Sequence, residues 1–179
     1  IIAWIMLTSM ACVALLGGFN NIVFAVETNI DPAARKAGAD ENWLQEVAPP
    51  SWTAESNQAD AEFGCSVANA GDVNGDGYSD VIVGAQWYGN DQPSEGRAFV
   101  YHGSAAGLAS SAAWTAEGNA SSANFGYSVG TAGDVNGDGF SDVIVGSPWY
   151  GNGQGGEGRA FVYQGSAGGL AAIAAWIVE

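Results

Sequence analysis

Residues 72–80 read DVNGDGYSD, and residues 134–142 repeat them as DVNGDGFSD. Each copy places oxygen-bearing side chains at alternate positions, with glycines between them. Ca²⁺ takes about six to eight oxygen ligands, and a short loop supplies them only by curling around the ion, which glycine permits through positive φ angles. The spacing therefore predicts two calcium sites. The expected ligands are Asp72, Asn74, Asp76, the carbonyl of Tyr78 and Asp80, followed by Asp134, Asn136, Asp138, the carbonyl of Phe140 and Asp142.

Each loop begins like the calcium loop of an EF-hand but closes earlier. The twelfth position, where an EF-hand has a bidentate Glu, is Val83 or Val145 here and cannot bind a cation. We therefore expect Asp80 and Asp142 to be the bidentate ligands. The alternative is a plain Asn-Gly turn between strands with its acidic residues in water. Three carboxylates within nine residues favour the cation, because without one they repel each other.

Composition limits the classes of partner. The chain has 179 residues, enough for one domain with a core, and its formal net charge is −15 with only 4 Lys and Arg. Phosphate backbones and anionic lipid headgroups repel so acidic a chain, so we expect no nucleic-acid partner. The two cysteines, Cys12 and Cys65, are not expected to form a disulfide, and Cys65 is interpreted as a small buried residue.

The first 26 residues form an uncharged, mostly apolar stretch. Two interpretations stay open: a signal peptide cleaved after Ala25, or a retained apolar helix that provides the only contact with a membrane. Both place the rest of the chain outside the cytosol, as an extracellular or cell-surface protein. Residues 27–51 are expected to be a polar linker with a short helical turn that begins at Asp31-Pro32.

The remaining sequence is a tandem repeat with an offset of 62 residues, as Asp134 against Asp72 shows. Residues 63–112 and 125–174 agree at 37 of 50 positions, which indicates one supersecondary unit used twice. We divide this part into an orphan strand with its lead-in (52–62), a first repeat (63–118) and a second repeat (119–179).

Each repeat is predicted to contain four short strands. In the first repeat they are FGCSVAN, DVIVGAQ, GRAFVYHG and AAWTAEG, and in the second FGYSVGT, DVIVGSP, GRAFVYQG and AAWIVE. The stretch RAFVY alternates between faces, and VIV is the apolar run of a strand covered on both faces. Four antiparallel strands joined by glycine-rich loops are typical of propeller blades. The predicted fold is therefore all-β, with two four-stranded blades preceded by an apolar helical segment.

These residues carry a family resemblance. The FG pairs at 63 and 125, the AGDVNGDG block and the GRAFVY strand together resemble FG-GAP repeats, the blades of integrin α-subunit propellers and of many secreted bacterial proteins. The resemblance implies the same two sets of Ca²⁺ ligands given above. Propellers of this family usually close with about seven blades, whereas this sequence holds two.

Two blades alone leave flanks and strand edges uncovered. The stretch SWTAE at 51–55 matches AWTAE at 113–117, yet three strands do not precede it. It is expected either to add to the edge of a neighbouring copy or to fold back on its own blade as a cap. We therefore expect copies of the chain to be partners, by strand addition or blade packing, in a fibre or surface layer.

The sequence shows no catalytic constellation. The single histidine, His102, stands at a strand end, and Arg97 and Arg159 are expected to pair with the adjacent Glu95 and Glu157. The two Trp-Tyr pairs, at 87–88 and 149–150, are interpreted as packing between blades, with stacking on glycans as the alternative. We expect a non-enzymatic calcium-binding structural or adhesive subunit. The alternatives are an accessory region of a secreted carbohydrate-active enzyme and a membrane-anchored receptor ectodomain.

Overall fold

The computed structural model describes Ala11–Ala14, Phe24–Glu27 and residues 51–179. The chain divides into two compact units, Ile1–Pro49 and Pro50–Glu179. In the first unit, β1 (Ala11–Ala14) and β2 (Phe24–Glu27) form an antiparallel pair. These two stretches are strands where the sequence predicted helix. The rest of the predicted apolar helix, and nearly all of the predicted linker, lie outside the described residues.

The second unit contains two four-stranded antiparallel sheets, as the repeat predicts. The first sheet has the order β3 (Phe63–Gly71), β4 (Asp80–Ala85), β5 (Arg97–Tyr101) and β6 (Trp114–Glu117). The second sheet runs β7 (Ser128–Gly133), β8 (Asp142–Ser147), β9 (Arg159–Tyr163) and β10 (Trp176–Val178) in the same way. Successive strands are neighbours, so each sheet is a meander. The all-β prediction with two four-stranded blades is confirmed.

The two sheets share one core, because the facing sides of both sheets contribute buried residues to it. In β4, Ile82 belongs to the core between the sheets, whereas Val83 belongs to a second core on the other face of the first sheet. We call the face of the first sheet that carries Ile82 and Val100 the first-sheet back. We call the side of the second sheet that carries Phe125, Val145 and Phe161 the second-sheet front. These two faces pack against each other. The first-sheet front carries Val83, Phe99 and Tyr101.

The stretch SWTAE lies on the first-sheet front. Trp52 and Ala54 pack against its core, and the indole of Trp52 lies edge-on to Tyr101 with 4.9 Å between ring centroids. The Trp52 Nε1–H donates to the carbonyl of Ala109 at 2.8 Å. This position agrees with the cap interpretation, but residues 52–55 belong to no strand pair in the described part of the chain. Addition of this segment to another copy therefore stays a prediction.

No helix in the described part of the chain is long and apolar enough to cross a bilayer.

Candidate metal-binding loops

The two acidic loops connect β3 to β4 and β7 to β8. Glycines occupy their sharp bends with positive φ, 74° at Gly75 and 87° at Gly77 in the first loop. The second loop repeats the conformation, with 76° at Gly137 and 93° at Gly139. The left-handed backbone that the sequence predicted for these glycines is present, and it turns each loop back on its first aspartate.

The first aspartate of each loop organises the backbone. One carboxylate oxygen of Asp72, Oδ1, accepts the N–H groups of Gly75 at 2.7 Å and Asp76 at 3.1 Å. Its other oxygen, Oδ2, accepts the N–H of Gly77 at 2.8 Å. Asp134 makes the equivalent bonds in the second loop, at 2.7, 3.0 and 2.8 Å. Each loop is thus curled around one carboxylate.

These backbone donors hold the pKa of Asp134 below its usual range. The N–H of Gly139 has the largest effect, followed by those of Gly137 and Asp138, because they stabilise the ionised carboxylate. The pKa of Asp76 is lowered as well, first by the N–H of Tyr78 and then by the side-chain amide of Asn74. Both carboxylates are therefore ionised near neutral pH.

The last aspartate of each loop is placed differently from the others. Asp80 and Asp142 are fully buried, whereas Asp72 is half-buried and Asp76 is exposed. The Asp80 Oδ2 accepts the N–H of Val73 at 2.9 Å, and its Oδ1 accepts the N–H of Gly103 at 2.8 Å.

Asp142 has the same arrangement, with the N–H groups of Val135 and Gly165 both at 2.9 Å. Each buried aspartate therefore fastens its loop to the segment that follows the third strand. Sequence reasoning assigned these residues only as ligands and missed this role, because the second donor stands 23 residues further along the chain.

The donor chemistry of each loop fits Ca²⁺. Every proposed ligand atom is an oxygen, and a carboxylate that accepts two or three N–H groups keeps a further lone pair for a cation. The side chains do not converge, however. Within the described residues, no group of three or more His, Cys, Asp or Glu side chains is arranged to hold a metal ion. The structure accordingly establishes the curl and the donor types of the loops, and the ligand roles of the ten predicted residues stay predictions.

The first loop is braced by the second sheet. The backbone N–H of Ser141 donates to the carbonyl of Asp72 at 2.9 Å, and its hydroxyl accepts the N–H of Asp72 at 3.2 Å. The N–H of Ser166 donates to the carbonyl of Val73 at 3.1 Å. The two loops therefore lie at the same end of the sheets, and the backbone of the first contacts the segments that precede β8 and follow β9.

The predicted ion pairs with adjacent glutamates are wrong. Arg97 pairs with Glu117 on β6, because antiparallel pairing places these two residues opposite each other. Arg159 pairs with Glu179 in the same way. Glu95 is fully buried instead, and its Oε1 accepts the N–H groups of Asn90 and Asp91 at 2.8 and 3.2 Å.

The aromatic pairs and the cysteine also depart from expectation. Tyr150 packs against the core between the sheets, as expected. Tyr88 packs within the first sheet instead: its ring lies 6.0 Å from that of Phe99, with the guanidinium of Arg97 above it. Trp87 and Trp149 remain 49% and 52% exposed. The prediction that Cys65 is buried is wrong, because the residue is exposed at the start of β3; among the described residues it forms no disulfide.

Comparison with known proteins identifies the repeat. The model of the FG-GAP repeat matches residues 63–101 and 125–163. The chain is 40% identical to integrin alpha-7 of Rattus norvegicus over 89 residues, which is 49% of this chain and 7% of that relative. It is 36% identical to integrin alpha-3 of Cricetulus griseus over 118 residues, 65% of this chain and 11% of that relative. For integrin alpha-PS2 of Drosophila melanogaster the identity is 40% over 108 residues, 56% of this chain and 7% of that relative. The chain thus spans about a tenth or less of the length of these relatives.

Proposed function

Because this chain belongs to the FG-GAP repeat family, with blades like those of integrin alpha propellers, we propose that it is a non-enzymatic calcium-binding subunit with a structural or adhesive role. Its relatives support the extracellular or cell-surface location that the sequence predicts. In this proposal each blade holds one Ca²⁺ in its acidic loop, and copies of the chain associate with each other.

The observation that carries the proposal is the repetition of the whole loop. Both copies combine a curled backbone, a first aspartate that accepts three N–H groups and an exposed aspartate at the fifth position. A connection that served only as a turn needs one Asn-Gly or Asp-Gly pair and no cluster of ionised carboxylates. A divalent cation neutralises that cluster, and extracellular calcium modules bind at roughly 10⁻⁴ to 10⁻³ M.

A calcium titration of the full chain tests this function. We expect isothermal titration calorimetry to show two ions bound per chain. Asp76→Ala and Asp138→Ala each remove one ion, because both residues are exposed and lie within the loops. Asp91→Ala serves as the matched control, since Asp91 is an exposed aspartate outside both loops.

The outcomes separate the proposal from the plain turn. Loss of one ion in each loop variant, with two ions retained in Asp91→Ala, supports it. No binding at millimolar calcium, or identical binding by all three variants, rules out the loops as calcium sites. The association of copies is measured separately, by sedimentation of the same preparations over a range of concentrations.

A further inference from the structure

Strand β6 contacts both sheets. Its backbone pairs with β5, and Glu117 on it pairs with Arg97, so by hydrogen bonding it is the fourth strand of the first sheet. Its indole crosses to the second sheet: the Trp114 ring lies 4.8 Å from that of Tyr163, and its Nε1–H donates to the carbonyl of Ala171 at 3.0 Å. A strand with this sequence therefore joins two consecutive blades.

The sequence of residues 52–55, WTAE, is identical to that of β6. This segment makes one of the two sets of contacts that β6 makes. The contact of Trp52 with Tyr101 and its bond to Ala109 reproduce the contacts of the β6 tryptophan with the second-sheet front. The other set is missing, because no described strand pairs with residues 52–55. The segment is thus seated on one blade without being the fourth strand of another.

Glu55 lacks the arginine that its two counterparts have. Glu117 pairs with Arg97, and Glu179 pairs with Arg159. Glu55 occupies the same place in its segment, is exposed, and forms no ion pair among the described residues. In both sheets the partner of this glutamate is the arginine that begins the RAFVY strand. Glu55 would find an equivalent arginine only in a further sheet packed against the first-sheet front.

The second-sheet back, defined by Val135, Ile144 and Trp176, is largely exposed in the described part of the chain. Val135 is 57% exposed, whereas Val73, its equivalent 62 residues earlier, is fully buried against the second sheet. Trp176 is 53% exposed, whereas Trp114, at the equivalent position, is 9% exposed. The same face that accepts a sheet front within this chain is therefore open on the second sheet.

We infer that this face binds a second copy of the chain, head to tail, and that residues 52–55 of the second copy pair with β9 in place of β10. This inference rests on the self-association proposed above and specifies its interface. The first-sheet front of the second copy then covers Val135 and Ile144, as the second-sheet front covers their equivalents within the chain. The second copy's Glu55 lies opposite Arg159, as Glu117 lies opposite Arg97.

Either β10 or residues 52–55 of the second copy can pair with β9, but not both. Packing at the interface favours residues 52–55. The third residue of the strand lies at the interface, where Ala116 is partly buried against the core between the sheets. Ala54 is the same residue, whereas β10 has the larger Val178, which overpacks a space shaped for alanine. Trp52 is already seated on the first-sheet front.

The exchange breaks the pairing of β10 with β9 and the contacts of Glu179 with Arg159 and Asn152. Residues 52–55 of the second copy replace them with the same strand pairing and a glutamate at the same place.

A charge exchange between full-length chains tests the inference. Glu55→Arg places two arginines together at the interface, and Arg159→Glu places two glutamates together. We expect each variant alone to associate at least about tenfold more weakly than the wild type in sedimentation velocity, because like charges face each other at an interface. An equimolar mixture of the two restores association, since every contact between unlike chains pairs opposite charges. The apolar residues 1–26 are the same in every sample, so they do not account for the differences.

Asp91→Arg is the matched control, because Asp91 is an exposed acidic residue of the first repeat and a Cβ at its equivalent, Gly153, has open space around it. We expect it to associate like the wild type. Deletion of residues 176–179 is a second test, which removes β10 and is expected to strengthen association. If that deletion abolishes association, β10 itself forms the contact and the inference is overturned.

The outcomes also distinguish this inference from the function it rests on. If the wild type associates and Glu55→Arg associates equally well, the strand exchange is wrong and self-association stands. If the wild type is monomeric at all concentrations, self-association and the strand exchange fail together. The calcium titration decides the metal-binding part of the function independently.

Discussion

The indole of Trp114 lies edge-on to the ring of Tyr163, with 4.8 Å between their centroids, although the two residues belong to different sheets. Trp114 is only 9% exposed, and its Nε1–H is bonded within the second repeat. Because this residue is covalently part of the first repeat and packs in the second, we expect the two blades to unfold as one cooperative unit.

Trp114→Ala is therefore expected to destabilise both sheets together. Truncation of a buried tryptophan costs about 3–5 kcal/mol of unfolding free energy. Trp176→Ala, at the equivalent exposed position, is expected to cost less than about 1 kcal/mol. Equilibrium urea unfolding followed by circular dichroism measures both. Equal losses in the two variants contradict the interface described above.

Gly84 and Gly146 are equivalent in sequence but not in surroundings. A Cβ at Gly84 overlaps the backbone carbonyl oxygen of Gly126, which cannot move without shifting β7, whereas a Cβ at Gly146 meets the side-chain hydroxyl of Ser128. We expect Gly84→Ala to destabilise the protein by at least about 2 kcal/mol and Gly146→Ala by clearly less, because a serine side chain rotates away. Thermal unfolding of the two variants gives the comparison, and the reverse order argues against the packing of the sheets.

Asp80 has a structural role that does not require a metal. Asp80→Ala leaves the buried N–H groups of Val73 and Gly103 without an acceptor. Each such group costs about 1–3 kcal/mol, so a loss of roughly 2–6 kcal/mol is expected in chelator. Asp76→Ala, which removes an exposed carboxylate, is expected to change stability little in chelator. A metal-free Asp80→Ala protein as stable as the wild type contradicts the described bonds.

Acid is expected to weaken the loops. The pKa values of Asp76 and Asp134 are lowered in the folded chain, so their stabilising contribution is fully present above the unfolded pKa of about 3.9. It is lost as the pH falls through the lower folded values. Urea unfolding in chelator from neutral to about pH 3 is expected to show stability falling below about pH 4. The Asp76→Asn and Asp134→Asn double variant is expected to lose part of that dependence.

High pH is expected to lower the stability of the folded chain through ionisation of Tyr163. Burial raises the pKa of its hydroxyl to about 12. Below the unfolded pKa of about 10 the residue is neutral in both states and has no effect on stability. Between about 10 and 12 the unfolded chain ionises first, so the folded state loses stability as the pH rises. Tyr163→Phe is expected to reduce that loss in unfolding experiments at high pH, and an unchanged alkaline profile contradicts the burial of this hydroxyl.

Local patterns were sufficient to predict the eight strands of the two blades but not β1 and β2. The repeat of 62 residues, the alternation in RAFVY and the apolar run VIVG located the strands to within a few residues, because strand periodicity and turn chemistry act over a handful of neighbours. The positive φ of Gly75 and Gly77 followed from the same local reasoning.

Contacts between distant residues were beyond such reasoning. Arg97 has a glutamate two residues before it in the sequence, but strand pairing brings Glu117 to its guanidinium instead. Only the fold shows that Asp80 holds the N–H of Gly103. Val73 and Val135 stand in identical stretches of sequence, yet the first is buried and the second is exposed. Only their contacts with distant residues account for this difference.

The sequence by itself therefore determined the two blades, their strands and the oxygen donors of the loops, since each depends on residues within one turn or one strand. Tertiary structure alone decided which face of each blade is buried. The two repeats are nearly identical, and burial depends on which sheet stands next to which, a relation that no local stretch of sequence contains.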